Sequence, residues 1–535
     1  MNKAKRILFI SGILICLLQI WWPAYYVTGD GPCHLYNAQI MHDLWAHENV
    51  PFYSRYFSIV YQPNPNWMTT VVLALLLFLV KGAIVEKIYL SIYLLVYISG
   101  FYLLLKKISN NNSWWPLSIF IFVFTMVFAK GFYNYSFSIA FFFWVVWCWL
   151  RFLDRSTVGN ALLFFVFSFF IFFTHLLPFV FAAATCGALV ASYTFSSEVV
   201  KKNKGRYFAR YAIVLLLLLS PYIALMNWFV SNEGGMQLKL NPHLYRFIEL
   251  AQFKYLVNIT HQEDGFSLVA ACTLIALFCI ALLLLVVRFT VSKYDGFLLS
   301  FIFVLGVYIL FPDDFMGRVL GIAVRVQLFV LLLAAICVSY RLSSTVVKNF
   351  GAGLLFICFC SLSVVRSSAR EIASRGVEDY LGAASYIRPY CVVLPFDFSR
   401  NGLDEKGRLI SDRNHLFSHV TEYMGAEKPL IIIDNFEAHM GYFPISWTDR
   451  TNPYDHLSKD EGIEGAPPYA SLDDYYGNTG VRVDYIIMWC FDTSYLKNAH
   501  FKELYEHVNS GYHIIYKSPT MRTVLYEKNG DQPAL

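Results

Sequence analysis

The chain has 535 residues, 57% of them apolar and only 15% charged. The apolar residues fall in continuous runs longer than a soluble core helix needs, which excludes a soluble globular enzyme and marks a polytopic α-helical membrane protein. The first 365 residues carry 25 Lys and Arg against 13 Asp and Glu, a formal +12, and the remaining 170 carry 17 against 24, a formal −7; a basic balance in a membrane domain reports orientation and names no nucleic-acid partner.

Met1 to Arg6 is basic and Ile7 to Tyr26 apolar. No small-residue cleavage site follows, and Trp21, Trp22, Tyr25 and Tyr26 form an interfacial aromatic belt, so this reads as a retained first helix with a cytoplasmic amino terminus. The next polar stretch, TGDGPCHLYN at 28–37, then lies outside, with Asp30 held at the membrane boundary beside a glycine and a proline. Residues 34–47 read as a helix lying along the membrane surface, and Pro63 and Pro65 break the chain before the next apolar run. That run, Trp67 to Val80, is short for a span and reads as interfacial or re-entrant.

Further crossings are expected near 88–105, 114–130, 134–150, 158–173, 178–196, 211–229, 266–287, 296–311, 325–342 and 350–364, giving eleven with the first helix and twelve or thirteen if short runs also cross. Alternation along the eleven puts Lys106 and Lys107, Arg151 and Arg155, the cluster from Lys201 to Arg210, Arg288 and Lys293, and Arg341 and Lys348 on one side. That is the positive-inside pattern, and it leaves the carboxy-terminal region outside. The division is a transmembrane domain, 1–365, with outer loops 27–66 and 227–264, followed by an extracytoplasmic soluble domain, 366–535.

The outer face receives the residues with chemical handles. Asp30 fits a general base that takes a proton from an acceptor, and equally a turn-forming or helix-capping aspartate. Asp313 and Asp314 can bind a divalent metal, orient an acceptor or pair with Arg318. Arg318 and Arg325 suit the phosphate of a lipid-borne donor, because guanidinium presents fixed donors to anionic oxygens. His34 can meet phosphate or a metal, yet no HExxH or cysteine pair completes a ligand set, so a lone interfacial histidine is the plainer reading. His175 lines a cavity or satisfies a carbonyl near Pro178, and Asn134 interrupts an aromatic helix start on the same face. The segment PHLYRFIELAQFKYL, 242–256, is amphipathic, with Arg246 and Lys254 placed to meet phosphate or simply to edge an interfacial helix.

From Ser367 the composition turns to mixed polar sequence. Strands are expected at 391–396, 430–433, 483–489, 512–515 and 524–526, and helices near 373–387 and 495–508, a small α/β domain. Asp434 closes the run PLIIID, where a polar residue often faces an opening. His415, His419, Glu437, His439 and His456 read mainly as turn and surface residues, with acceptor recognition as the alternative. Eight of the eleven cysteines lie in apolar segments; Cys391 and Cys490 lie outside them and can pair on an oxidising side. No glycine-rich nucleotide loop is present.

The first helix leading into TGDGPCHLYNAQIMHDLW (28–45), the proline-containing return at 61–67 and the multi-helix body with a soluble outer domain resemble the GT-C superfamily of polytopic glycosyltransferases. That superfamily includes bacterial lipid A aminoarabinose transferases, protein O-mannosyltransferases and oligosaccharyltransferase catalytic subunits. The resemblance implies a multi-pass protein of the bacterial inner membrane with a periplasmic carboxy-terminal domain. It implies transfer of a sugar from a polyprenyl-phosphate donor to a glycan, lipid or protein acceptor at the outer face, with Asp30 at the reacting centre. In that pattern a second acid often follows; here Gly31 stands in its place. Some members use a divalent cation and others do not. Two competing classes are a lipid or polysaccharide transporter, for which repeated broken helices are lacking, and a non-catalytic envelope assembly factor.

Overall fold

A computed structural model describes the chain apart from residues 1–2, 110–112, 197–202, 233–241, 254–255, 289, 316–317, 320, 459–461 and 531–535, and describes only the backbone at 288, 314, 315, 318 and 319. Among the described residues eight helices are long and apolar enough to cross a membrane: Lys3–Trp21, Ala83–Ile108, Tyr133–Asp154, Leu176–Phe195, Lys204–Asn232, His261–Val287, Ile322–Arg341 and Thr345–Tyr386. Trp115–Ala129, Val158–Thr174 and Gly296–Leu310 are apolar helices at three more of the expected positions, but shorter. Met68–Leu77, within the run read as interfacial or re-entrant, has ten residues, about 15 Å of helix and half a hydrocarbon core.

The chain divides into two compact units. Unit 1 comprises residues 1–19, 91–128 and 133–366. Its central helices are Tyr133–Asp154 and Ile322–Arg341, 83% and 89% buried, whereas Lys204–Asn232 is 17% buried and turns Ile213, Leu216 and Leu217 outward, as a lipid-facing helix does. Trp115–Phe122 is a 3₁₀ helix, a form that disturbs the usual carbonyl pairing. The Tyr97 and Tyr93 hydroxyls donate to the Phe122 and Val123 carbonyls at 3.2 and 2.9 Å, so irregular backbone survives there because side chains satisfy it.

Polar contacts at the helix ends of unit 1 form separate groups. At one end Lys107 pairs with Asp154, Tyr193 donates to Asp154 at 3.3 Å, Tyr294 donates to the Lys107 carbonyl at 3.2 Å, and Arg341 Nε donates to Asp295 at 2.8 Å. These are helix ends expected on the cytoplasmic side. At the other end Tyr135, His175 and Arg325 meet, as do Arg246 and Asp313.

Unit 2 comprises residues 20–90, 129–132 and 367–535. In chain order the strands are β1 (Phe57–Ile59), β2 (Asp314–Phe315), β3 (Arg318–Val319), β4 (Cys391–Asp397), β5 (Leu430–Ile432), β6 (Ile445–Trp447), β7 (Tyr485–Trp489), β8 (Tyr512–Lys517) and β9 (Thr523–Lys528); β2 and β3 form a small antiparallel pair in unit 1. The five runs read as strands are the five strands of one sheet, ordered β5-β4-β7-β9-β8. β5, β4 and β7 run parallel, with Val392 opposite Ile431 and Leu394 opposite Ile486, and β9 and β8 complete the sheet antiparallel. Val393, Leu394, Ile431, Ile486 and Ile487 are wholly buried, as expected of central strands covered on both faces. The helix expected at 373–387 is the end of a long helix, Thr345–Leu381, followed by a 3₁₀ turn at Gly382–Tyr386; the other is Ala499–Gly511.

Two readings of this region change. Cys391 and Cys490 are both free thiols. They sit at opposite ends of neighbouring parallel strands, roughly 20 Å apart by strand rise, far beyond disulfide reach. The helix expected to lie on the membrane surface, Gly31–Trp45, is instead buried over most of its length inside unit 2. The Tyr36 hydroxyl donates to the Leu430 carbonyl at 2.8 Å and accepts from the Ile432 amide at 3.1 Å, so this helix satisfies the outer edge of β5. The first outer loop also supplies β1, which pairs with β6, Phe57 opposite Trp447 with rings 4.3 Å apart. Residues 20–90 thus group with the carboxy-terminal region.

Candidate functional site

Asp30 is seated by its backbone. The Gly29 and Asp30 amides donate to the Ala129 and Lys130 carbonyls at 3.1 and 2.9 Å. Gly131, at φ +85°, passes so close that a Cβ there would lie 2.3 Å from the Asp30 nitrogen, so only glycine fits. Pro32 then opens the helix Gly31–Trp45 with Asp30 at the N-cap position. The Asp30 side chain makes no capping hydrogen bond, and it is 33% exposed.

Behind it lies a dry polar shell. His34 Nε2 is 3.1 Å from the Gly131 carbonyl and its Nδ1 is 2.8 Å from Glu437 Oε1. Burial pulls the His34 imidazole down, but Glu437, then Asp30 and the Gly131 carbonyl, outweigh it and raise it. Asn37 and Asn435 exchange amide hydrogen bonds at 3.3 and 2.7 Å, and Asn37 also donates to Glu437 at 3.0 Å. The Cys33 thiol faces Asn435 Oδ1 at 3.4 Å. Residues 33–37 and 435–437 therefore lock to each other side chain by side chain, and Asp30 is the exposed tip of that lock.

His419 stands on the other side, Nε2 4.0 Å from Asp30 Oδ1 and Nδ1 3.6 Å from Glu422 Oε2. Burial, Arg400 and His34 push His419 down to about 3, so it is neutral at physiological pH and its contact with Asp30 is dipolar, not an ion pair. Glu422 is fully buried, and burial, then Asp434, holds its carboxyl well above the usual range. Asp434 is raised by burial and by Glu464.

Asp397, the last residue of β4, lies at the carboxyl end of the parallel strands, as Asp434 does just beyond β5. Burial pushes Asp397 up to about 7 against the pull of the Ser399 amide and Arg400. Between about pH 4 and 7 the folded chain keeps a proton that the unfolded chain has lost, so stability falls as pH rises through that window. Asp397→Asn is expected to raise the midpoint of thermal unfolding at pH 7.5 and leave it unchanged at pH 3.5; equal shifts at both values would refute the buried neutral acid.

The remaining candidates belong to unit 1. Arg325 is half-buried in the first turn of Ile322–Arg341, with its guanidinium 5.9 Å from the Tyr135 ring, and Tyr135 donates its hydroxyl to the Arg325 carbonyl. His175 meets the same ring edge-on at 5.1 Å, and its Nδ1 accepts from the Leu177 amide at 3.2 Å, capping the helix that contains Pro178. Asn134, next to Tyr135, is buried. Asp313 accepts from the Ala323 amide at 2.7 Å and from Arg246 at 3.0 Å. It closes a helix start by an ion pair made with Arg246. Arg246, 1% exposed, also donates to the Phe311 carbonyl at 2.6 Å, so it is a structural staple and not a phosphate contact. Leu244, Phe247 and Ile248 beside it are exposed, as in an interfacial helix. Lys254 lies outside the described residues, as do the side chains of Asp314 and Arg318. Among the described residues no group of three or more His, Cys, Asp and Glu is arranged to hold a metal ion.

Sequence reading singled out Asp30 and His34 and passed over what surrounds them. Asn37, Glu422, Asn435, Asp397 and Arg400 carried no motif. Glu422 follows His419 by three residues, a spacing that signals contact only once the turn between them is known. His439 and His456 are structural: the first stacks on Tyr454 at 4.7 Å, and the second meets the Asp449 carbonyl at 2.9 Å.

Compared with protein-family models and with curated protein sequences, the chain matches none. Helices and sheet define the class: a polytopic α-helical membrane protein with a carboxy-terminal extracytoplasmic α/β domain.

Proposed function

We propose that the protein is a membrane glycosyltransferase of the GT-C type, with eleven crossings in a bacterial inner membrane, moving a sugar from a polyprenyl-phosphate donor to an acceptor at the outer face. The observation that carries this reading is the state of Asp30. It is partly exposed above a shell of buried groups that hold its backbone and face its carboxylate. A partly exposed carboxylate in a rigid seat suits a general base.

In the proposed step Asp30 accepts the acceptor hydroxyl proton while that oxygen bonds to the anomeric carbon. The bond from that carbon to the donor phosphate oxygen breaks, and its electron pair leaves with the polyprenyl phosphate. His419, neutral and with Nε2 4.0 Å from Asp30 Oδ1, leaves the carboxylate charged. Arg325, beside Tyr135 and His175, supplies charge-assisted hydrogen bonds to the phosphate.

The test is transfer by purified protein in liposomes containing labelled polyprenyl-phosphate sugars and an envelope acceptor extract. Arg325→Ala is expected to weaken donor binding roughly 10- to 100-fold, the loss of a charge-assisted hydrogen bond. Unchanged donor affinity would withdraw the phosphate role, and absence of both transfer and donor binding in the wild type would withdraw the enzyme.

A further inference from the structure

Unit 2 contains a cavity of about 380 Å³ that none of these roles uses. It lies at the far end of the helix that begins at Asp30. Gln39 and Asp43 line it, and Asp43 is thirteen residues from Asp30, roughly 20 Å along the helix axis. Its volume falls within the range of small-molecule sites.

The floor is a fixed hydrogen-bond network. Asp43, 3% exposed, accepts from Gln39 at 2.6 Å and Asn49 at 2.7 Å, with His42 Nδ1 at 3.0 Å. Tyr53 packs against the cavity and is itself wholly buried. At the mouth stand Lys81 and Glu48, cation and anion together.

Beside this lining an aromatic residue is held out to solvent. Tyr390 is 57% exposed, its hydroxyl donates to the lining residue Asn49 at 2.9 Å, and its ring meets Phe52 edge-on at 5.4 Å. Its amide donates at 2.7 Å to the carbonyl of Pro429, another lining residue. Tyr390 and Asn49 both adopt left-handed backbone, at φ +63° and +49°. For a bulky residue this is a strained state that persists only where the surroundings impose it.

The lining chooses among ligand classes. Charges of both signs argue against a simple anion, and the shortage of apolar side chains argues against an acyl chain. A rigid set of amide, carboxylate and hydroxyl groups beside an exposed aromatic ring matches a neutral polyol with one apolar face. We propose that this cavity is a saccharide subsite, binding one sugar unit of a glycan. Sugar binding stands apart from catalysis; only the further role, gripping an acceptor glycan several units from its reacting end, rests on the glycosyltransferase reading.

The experiment uses the full chain in phosphatidylcholine nanodiscs, with methyl glucoside, galactoside, mannoside and N-acetylglucosaminide as probes and inorganic phosphate as the control. Saturation-transfer NMR is expected to detect at least one glycoside at millimolar concentration, and the ³¹P line of inorganic phosphate, which has no protons for that measurement, is expected to show no protein-dependent broadening. Tyr390→Ala, a surface change, is expected to weaken it about 3- to 10-fold, the scale of one aromatic contact. Asn49→Asp, which sets a second carboxylate against Asp43, is expected to abolish it. Binding of none of the four, binding of phosphate in their place, or glycoside binding that both variants leave untouched would overturn the subsite. Because no donor lipid enters the measurement, this result is independent of whether Asp30 proves catalytic.

Discussion

Asp30→Asn is expected to cut sugar transfer by roughly 10²- to 10⁴-fold, the usual scale of a lost general base, while changing stability by no more than about 0.5 kcal/mol. The two halves of this expectation have separate causes. Asparagine matches aspartate in shape and caps a helix equally well, so whatever Asp30 contributes to the start of Gly31–Trp45 survives. The bonds that seat the residue run through the amides of Gly29 and Asp30 to the Ala129 and Lys130 carbonyls, and the side chain takes no part in them. What disappears is a carboxylate able to accept a proton. Donor affinity is expected to stay within twofold, because the variant leaves the proposed phosphate contact at Arg325 untouched. Equal transfer by wild type and a well-folded variant would remove Asp30 from the chemistry and favour a non-catalytic envelope role. A collapse of stability with activity would mean that the position is structural.

The membrane helices and the sheet were legible because both rest on local patterns. Runs of apolar residues fix the helices, and the five strands of the main sheet appear as short β-branched or aromatic runs bounded by turn residues. Asp30 was legible for another reason: a carboxylate between two glycines at a membrane boundary is costly enough to ask for an explanation. The shell was not legible, because most of the contacts that build it join residues about a hundred to four hundred positions apart. Cys33 and Asn435 are 402 positions apart, and Tyr36 and Leu430 are 394. The helix expected at 34–47 looked like a surface helix because His34 and His42 fall on one stripe. Each of them has a buried polar partner instead, Glu437 and Asp43. Cys391 and Cys490 illustrate the converse error, since composition permits a pairing that strand register forbids.

Arg366→Met is expected to destabilise unit 1 by about 3–5 kcal/mol, the largest stability effect anticipated for a single substitution in this chain. Arg366 and Glu263 are 3% and 0% exposed, with Nε 2.6 Å from Oε2. Glu263 also accepts the Asn258 and Ile259 amides at 3.0 and 2.8 Å, while the other two Arg366 nitrogens donate to the Phe124 and Leu256 carbonyls at 3.1 and 2.6 Å. These four backbone groups converge on one buried charge pair, so removing the arginine strands a carboxylate and two carbonyls together. Replacing a complete pair with matched apolar groups is often neutral; breaking one half is what costs. Glu263→Gln alone is also expected to cost stability, because Asn258 and Ile259 donate to different carboxylate oxygens and an amide keeps only one of them as an acceptor, but adding it to Arg366→Met is expected to recover part of the loss, since it removes the stranded charge. Denaturant titration in mixed micelles measures all three. A loss below 1 kcal/mol for Arg366→Met, or strict additivity in the double variant, would show that the pair does not act as a unit. The location gives the pair its importance: Arg366 is the last residue of unit 1 on the helix Thr345–Leu381, and it ties that helix to the segments at 124 and 256–263 immediately before the chain enters unit 2.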